Sequence, residues 1–344
     1  MKAAAALVVG KAAEARAAHG STLPVNNVDN CAVETKTRAM DIDVVDPALR
    51  TALLKLPALD VSKRLPRLIG RVGPRLLTAP PVEGVTISER RHGALRMRIY
   101  RPTGANNGPG LLWVHGGGLV IGAMKQDDRL CAGTAGELGL TVVSVEYRLA
   151  PEHPFPAALD DVLAGWNWLQ AHARELGVNP ARVVVGGESA GAGIAACLVQ
   201  RLHDDAAVQP IAQWLFAPML DDRTADRREL DDLDHWVWNN RANRFGWGAY
   251  LAGAPAPYAV AARRESLTGL PPTWLCAGDI ELFHGEVVEY ADRLRAAGVD
   301  VTLDLIPGGA HGFENWAADS VTAQALLQRA RFWLSRQTDS IPQS

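Results

Sequence analysis

The chain has 344 residues, 48% of them hydrophobic, which is enough to bury a core in one large domain or in two. Its 35 Lys and Arg against 38 Asp and Glu give a net charge of -3. That near-neutral balance argues against nucleic acid as a partner, because phosphate binding needs a concentrated basic face.

The first 80 residues are rich in Ala, Leu and Arg and lack the alternation of strands. Ala3–Gly10 faintly resembles an export signal, but the apolar run is short and charged residues follow it at once. Asp46-Pro47 is a typical helix start, with leucines following at loosely helical spacing. We assign residues 1–80 to an N-terminal helical cap segment. No stretch approaches the about 20 apolar residues of a membrane span, so we expect no membrane span and a cytoplasmic location.

The four cysteines lie far apart and form no C-x-x-C pair; they are Cys31, Cys131, Cys197 and Cys276. The last three stand in apolar surroundings, where a cysteine usually serves as a small core residue. This pattern favours free thiols in a reducing compartment over a disulfide frame or a zinc site.

From Val85 onward, strand-like runs alternate with helical stretches. Val85–Glu89 and Leu95–Tyr100 predict a hairpin around His92-Gly93. Further strands are predicted at Leu111–Val114, Thr141–Tyr147, Val183–Gly186, Ala212–Phe216, Thr273–Ala277 and Val301–Ile306. Helices are predicted near Ala157–Ala173, Gly191–Leu202, Glu286–Ala297 and Val321–Arg336. The alternation predicts an α/β fold with a mostly parallel sheet, helices on both of its faces, and strands buried on both sides.

Residues 219–270 interrupt this alternation with a segment rich in acids and tryptophans, including Trp236, Trp238 and Trp247. The segment is too long for an ordinary connection between a strand and a helix. It is either a surface excursion or a lid over the site, and we favour the lid because loops at this end of such sheets usually carry function. We therefore predict a catalytic domain of residues 81–218 and 271–344, with residues 219–270 as a cap insertion.

The run Gly187-Glu188-Ser189-Ala190-Gly191 matches the pattern G-x-S-x-G. A strand is predicted before it and a helix after it, which is the setting that a nucleophile elbow requires. Small residues beside the serine allow the close packing of strand against helix. The alternative is an ordinary glycine-rich turn. We predict that Ser189 is a nucleophile.

A glycine run, His115-Gly116-Gly117-Gly118, follows the predicted strand Leu111–Val114. Bare backbone N–H groups in such a loop, together with the N–H of Ala190, can stabilise the negative charge on a carbonyl oxygen under attack. A plain flexible loop is the alternative. We interpret His115 as a hydrogen-bonding residue that shapes the loop rather than as a second base.

Together, these two motifs resemble the hormone-sensitive-lipase-like branch of the α/β hydrolases, also called bacterial family IV esterases. The run Tyr147–Ala157, which reads Y-R-L-A-P-E-H-P-F-P-A, strengthens the resemblance, and the likeness extends from about Val85 to the C-terminal helix. It implies an α/β-hydrolase fold with a helical cap and oxyanion N–H groups from Gly117, Gly118 and Ala190. Glu188 departs from the Asp or Thr that the family usually has there, and we expect it to support the site without contacting the substrate.

The base and the acid should follow the serine in the chain, the acid first. His311 lies in a loop after the last predicted strand, and its H-G-F sequence resembles that of the family's catalytic histidine. Aligned on the family's pattern G-x-x-D-x-x-x-D-E, the acid position falls on Glu281, with Asp279 two residues earlier as the alternative. We favour Glu281, because a glutamate can also hold the imidazole tautomer and stabilise the imidazolium.

These residues predict a carboxylic-ester hydrolase that works through an acyl-enzyme and needs no metal and no organic cofactor. The family resemblance implies short to medium acyl esters as small-molecule substrates. The same residues could cleave amides or transfer acyl groups to alcohols, and related folds serve as non-catalytic small-molecule receptors. Receptors of that kind lack the histidine that is present here as His311. The sequence leaves the oligomeric state open, a homo-oligomer included.

Overall fold

A computed structural model describes residues 38–78, 80–253 and 257–339. The weak resemblance to an export signal, Cys31 and the first 37 residues of the N-terminal segment lie outside the described residues. Within them, Cys131, Cys197 and Cys276 are free and buried. In the same part of the chain, no helix is long and apolar enough to cross a bilayer.

One eight-stranded sheet forms the centre of the fold. In chain order its strands are β1 (Val85–His92), β2 (Leu95–Pro102), β3 (Gly108–Val114), β4 (Thr141–Glu146), β5 (Val178–Glu188), β6 (Gln213–Phe216), β7 (Thr273–Gly278) and β8 (Val301–Ile306). Their order across the sheet is β8-β7-β6-β5-β3-β4-β2-β1. Only β2 runs antiparallel to its neighbours, β1 and β4. The predicted hairpin and the mostly parallel sheet are therefore confirmed.

Nine α-helices are described around this sheet. They are α1 (Pro47–Leu53), α2 (Arg64–Val72), α3 (Asp128–Leu138), α4 (Ala157–His172), α5 (Ala190–Asp204), α6 (Asn240–Leu251), α7 (His284–Ala296), α8 (Phe313–Trp316) and α9 (Val321–Asp339). Asp46 caps α1 as predicted, accepting a hydrogen bond of 2.8 Å from the N–H of Ala48.

The sheet separates two apolar cores. Successive residues of β3 point to opposite faces, so Leu112 packs into one core with Trp166, while Trp113 packs into the other with Leu326. Burial on both faces explains why the central strands are continuously apolar. The prediction is wrong for β8, which is only partly buried because it lies at the edge of the sheet and has one neighbour.

Besides the four-residue α8, three helices carry no clear sequence signal and were not predicted. Pro66 and Gly70 lie within α2 and weaken its helical pattern, although proline is tolerated in a first turn. Five consecutive alanine, glycine or threonine residues (132–136) interrupt the apolar spacing of α3, and α6 is rich in asparagine and glycine. Tertiary packing outweighs the local propensity in all three.

The N-terminal segment and the insertion of residues 219–270 contact each other. Arg38–Ala39 pair in parallel with Leu233–Asp234, which corrects the expectation that the first 80 residues contain no strand. The guanidinium of Arg67 in α2 lies 5.1 Å from the ring centroid of Phe245 in α6. These contacts join the described part of the N-terminal segment to the insertion.

Candidate active site

Ser189 occupies a sharp turn between β5 and α5. Its φ of 54° and ψ of -122° are unusual for a residue with a side chain, and such strain occurs mostly at functional sites. A Cβ at Gly187 would lie 2.7 Å from the oxygen of Val114, and a Cβ at Gly191 would lie 2.2 Å from the same atom. Only glycine fits at either position, so the two outer glycines of G-x-S-x-G let the turn pack against β3.

The imidazole of His311 lies next to the hydroxyl of this serine. His311 Nε2 is 2.8 Å from Ser189 Oγ, although the two residues are 122 positions apart in the chain. Both side chains are buried. The distance is that of a hydrogen bond and suits transfer of a proton from the hydroxyl to the ring.

The loop that follows β8 holds His311 in this position. The carbonyl of His311 accepts a hydrogen bond of 2.8 Å from Trp316 Nε1, and the ring of Phe283 packs edge-on at 5.2 Å between centroids. Gly312 follows with a positive φ of 68°, which starts α8. The backbone and the ring are thus both fixed by neighbours.

Glu281 and Asp279 face different partners. Glu281 Oε2 lies 2.5 Å from His311 Nδ1, and its other oxygen accepts a bond of 2.9 Å from the N–H of Gly278. Asp279 instead accepts a bond of 2.7 Å from the N–H of Gly308 and does not reach the imidazole. Of the two acids considered from the sequence, the structure brings Glu281 to His311.

The glycine loop after β3 lies against the serine turn. A Cβ at Gly116 would lie 3.3 Å from Ser189 Cβ. Gly117 and Gly118 both have positive φ, of 125° and 57°. Within the described ranges, the N–H groups of Gly117, Gly118 and Ala190 form no hydrogen bond to the protein. They are available to an oxygen that approaches Ser189.

His115 shapes this loop. Its Nδ1 lies 2.8 Å from the carbonyl oxygen of Gly116, and its ring stacks on Tyr147 at 4.3 Å between centroids. Tyr147 in turn donates its hydroxyl to the carbonyl of His115 over 3.0 Å. Burial lowers the pKa of His115, so the ring is neutral at pH 7. These contacts agree with a shaping role.

Trp238, from the insertion, covers the glycine loop. A Cβ at Gly118 would lie 2.0 Å from Trp238 Cη2, so the indole edge touches the glycine backbone directly. Gly246 of α6 also packs against the glycine loop, because a Cβ at Gly246 would lie 2.6 Å from the carbonyl oxygen of Gly118. The segment between β6 and β7 therefore packs onto the loop whose amides are free.

A small apolar cavity of about 10 Å³ adjoins the first turns of α5. Its lining residues are Leu119, Ala190, Gly193, Ile194, Cys197, Met219, Trp247, Tyr250, Ala259 and Ala261. The volume is that of about one water-sized sphere, so the cavity has room for about one methyl group. Trp247 and Tyr250, both buried, close it from α6.

Three buried acids, which we call the acid cluster, lie behind the serine turn and the histidine loop: Asp127, Glu188 and Glu314. Burial raises the pKa of Asp127 and that of Glu314, each to about 7. Burial, and then the neighbouring charge of Asp127, raise the pKa of Glu188 well above its ordinary value. Asn315 Nδ2 donates hydrogen bonds to both Asp127 and Glu188. Only Glu188 was singled out from the sequence, because the other three belong to no motif of the chain.

The geometry suits nucleophilic attack on a carbonyl group. A hydroxyl, an imidazole and a carboxylate form one chain of hydrogen bonds, and free amides lie beside the hydroxyl. Across the described ranges, no group of three or more His, Cys, Asp or Glu side chains is arranged to hold a metal ion.

Comparison with known proteins finds related esterases. The sequence pattern of a family described as alpha/beta hydrolase fold matches residues 111–315. LipN of Mycobacterium tuberculosis, a carboxylic ester hydrolase, is 36% identical over 258 residues, which cover 71% of this chain and 68% of LipN. A bacterial heroin esterase superposes with a TM-score of 0.78 at 34% identity, over 86% of this chain and 99% of that one. Esterase LipW of Mycobacterium marinum gives 0.79 at 34% identity, over 88% and 98%.

Proposed function

The chain belongs to the α/β-hydrolase-fold family, in its hormone-sensitive-lipase-like branch, and we propose that this carboxylic-ester hydrolase cleaves short to medium acyl esters through Ser189, His311 and Glu281. The observation that carries the proposal is the position of the His311 ring, which lies 2.8 Å from Ser189 Oγ and 2.5 Å from Glu281 Oε2. An imidazole held between a hydroxyl and a buried carboxylate is the arrangement that activates a serine.

The reaction proceeds in two steps. His311 takes the proton of Ser189 as the hydroxyl oxygen attacks the ester carbonyl, and the protonated imidazole then gives that proton to the leaving alcohol. A water molecule, deprotonated by the same imidazole, attacks the acyl-enzyme and releases the carboxylic acid. Glu281 keeps the ring in the required tautomer and stabilises the imidazolium. No cofactor takes part in these steps.

The N–H groups of Gly117, Gly118 and Ala190 stabilise the oxyanion of both tetrahedral intermediates. Their availability for a new hydrogen bond supports this role. Each donor of this kind contributes roughly 3 kcal/mol to the transition state. Close packing of Trp238 on Gly118 holds the loop in place and excludes water from it.

The terminal methyl group of a short acyl chain points into the small cavity beside α5, and the size of this cavity supports a preference for the short end of the range. Its walls are almost wholly apolar, and Trp247 and Tyr250 limit its depth. The described part of the N-terminal segment, residues 38–80 apart from residue 79, and residues 219–270 act as a cap, which is supported by the contact of Arg67 with Phe245 and by the position of Trp238. A cytoplasmic location is part of the proposal and is supported by three free, buried cysteines.

The test is an acyl-length series on the wild type beside Ser189→Ala. We expect the wild type to hydrolyse nitrophenyl acetate and butyrate faster than nitrophenyl octanoate. Ser189→Ala should lose roughly 10⁶-fold in kcat, because the nucleophile is gone. Wild-type turnover by folded Ser189→Ala would overturn the role of the serine, and octanoate as the best substrate would overturn the acyl range.

A further inference from the structure

Asn315 connects two parts of the site from behind. It lies four residues after His311, at the third position of α8. Its Nδ2 donates one hydrogen bond to Glu188 Oε2 and another, of 3.1 Å, to Asp127 Oδ1. Both hydrogens of the amide are therefore used.

The two acceptors belong to different segments of the site. Glu188 directly precedes Ser189, so its backbone is part of the serine turn. Asp127 also accepts a bond of 2.7 Å from Trp113 Nε1, and Trp113 lies two residues before the glycine-loop residue His115. One side-chain amide thereby links the histidine loop, the serine turn and the strand that leads to the glycine loop.

The Glu188 carboxyl also packs directly against the histidine loop. A Cβ at Gly312, the residue after His311, would lie 2.7 Å from Glu188 Oε1. A shift of Glu188 would therefore move either the turn that bears Ser189 or the loop that bears His311. The separation of those two loops determines the distance between the hydroxyl and the imidazole.

The charges around Asn315 favour a neutral donor at this position. Asn315 Nδ2 contacts one oxygen of each carboxyl group, so Asp127 and Glu188 lie close together, and burial raises the pKa of both. Glu314, the third member of the acid cluster, faces this pair, and the other titratable groups that face the cluster are His311, Glu281, Asp128, Tyr147 and Cys131. Cations are absent from this set apart from the imidazolium that forms during the reaction. The neutral amide of Asn315 therefore supplies donors without adding charge.

We propose that Asn315 is a positioning residue, which sets the distance between Ser189 and His311 by binding Glu188 and Asp127 together. This inference rests on the proposed roles of Ser189 and His311. It assigns to an amide outside every recognised motif the task of aligning the nucleophile with its base.

The test is a double-mutant cycle with Asn315→Asp and Glu188→Gln. Asn315→Asp keeps the shape of the side chain but replaces two donors by acceptors, so it should lower kcat roughly 10²-fold with KM unchanged, as expected of a small misalignment. Glu188→Gln returns an amide donor to the same place. The double variant should therefore regain at least about tenfold in kcat over Asn315→Asp alone.

Asn106→Asp is the matched control, because Asn106 is exposed in a loop and the change alters the net charge equally. Circular dichroism and urea unfolding without substrate, run on all four proteins of the cycle, report the fold and the coupling free energy. Wild-type kcat in folded Asn315→Asp, or no recovery in the folded double variant, would overturn the inference. Full activity of Ser189→Ala would instead overturn the proposed function, so the two failures are distinguishable.

Discussion

Glu281 Oε2 lies 2.5 Å from His311 Nδ1, and this contact is made inside the protein, with the Glu281 side chain fully buried. Asp279, only two residues earlier, turns to the opposite side of the loop and binds the N–H of Gly308. Two acidic side chains that are two residues apart in the chain thus have different roles. One carboxylate orients a ring, and the other holds the backbone of the loop that bears the ring.

The first prediction compares Glu281→Gln with Asp279→Asn. Glu281→Gln should lower kcat roughly 10⁴-fold, because an amide at that position favours the wrong tautomer of His311. Asp279→Asn should cost only about 1 kcal/mol of unfolding free energy, because a neutral acceptor still reaches Gly308. Steady-state kinetics and urea unfolding measure both effects. A larger loss of kcat in Asp279→Asn than in Glu281→Gln would reverse the assignment of the acid.

The parts of the fold that follow from contiguous sequence could be predicted. The apolar run Val183–Gly186, the glycines around Ser189 and the helix after them encode a local strand, turn and helix, because each depends on neighbours along the chain. The central strands and the hairpin could be predicted for the same reason, and the structure contains them. Strand β8 departs from its predicted burial because position in the sheet is not a local property.

The parts that depend on packing between distant segments could not be predicted. Trp238 reaches Gly118 across 120 positions of chain, and the insertion that carries it has no periodic pattern. Asn315 and Asp127 form their hydrogen bond only because the fold brings together segments that are distant in the chain. Nothing in the residue type of Asn315 indicates an amide that bridges two buried carboxyl groups.

The second prediction concerns Gly118→Ala. The new methyl group would lie 2.0 Å from Trp238 Cη2, at a backbone φ of 57° that disfavours alanine. The loop should shift and misplace its N–H groups, so kcat should fall by about 10²- to 10³-fold, as on loss of an oxyanion donor. Kinetics on nitrophenyl acetate measure the loss.

Gly248→Ala serves as its control. Gly248 lies in the same neighbourhood, within α6, but a Cβ there meets no atom within 4 Å. This change should leave kcat unaltered and raise the unfolding free energy by up to about 1 kcal/mol, since alanine favours helices. Equal kinetics for Gly118→Ala and Gly248→Ala would refute a role for the packing of Trp238 on the glycine loop.

The third prediction concerns acyl length. Trp247→Ala removes the largest side chain that lines the cavity beside α5 and should open it to longer chains. Each buried methylene contributes about 0.8 kcal/mol, so kcat/KM for octanoate relative to acetate should rise by more than tenfold. Nitrophenyl esters of increasing length give the profile. Trp168→Ala, on α4 and away from the cavity lining, is the control. An unchanged profile in folded Trp247→Ala would place the acyl group elsewhere.

The fourth prediction concerns stability and pH. Asp127 and Glu314 have pKa values raised to about 7, against 3.8 and 4.5 in the unfolded chain. Below about pH 4 the protons are bound in both states, and the stabilising contribution is complete. As the pH rises toward 7, only the unfolded chain releases them, so this contribution shrinks and is lost above the folded pKa.

Glu188→Gln removes one ionisable member of the acid cluster and a neighbouring negative charge. We therefore expect the Tm of the wild type to fall between about pH 5 and about pH 8. The Tm of Glu188→Gln should fall less over this range than that of Glu83→Gln, an exposed control, and calorimetry measures both profiles. Parallel Tm profiles for the two variants would show that the acid cluster holds no extra proton in the folded protein.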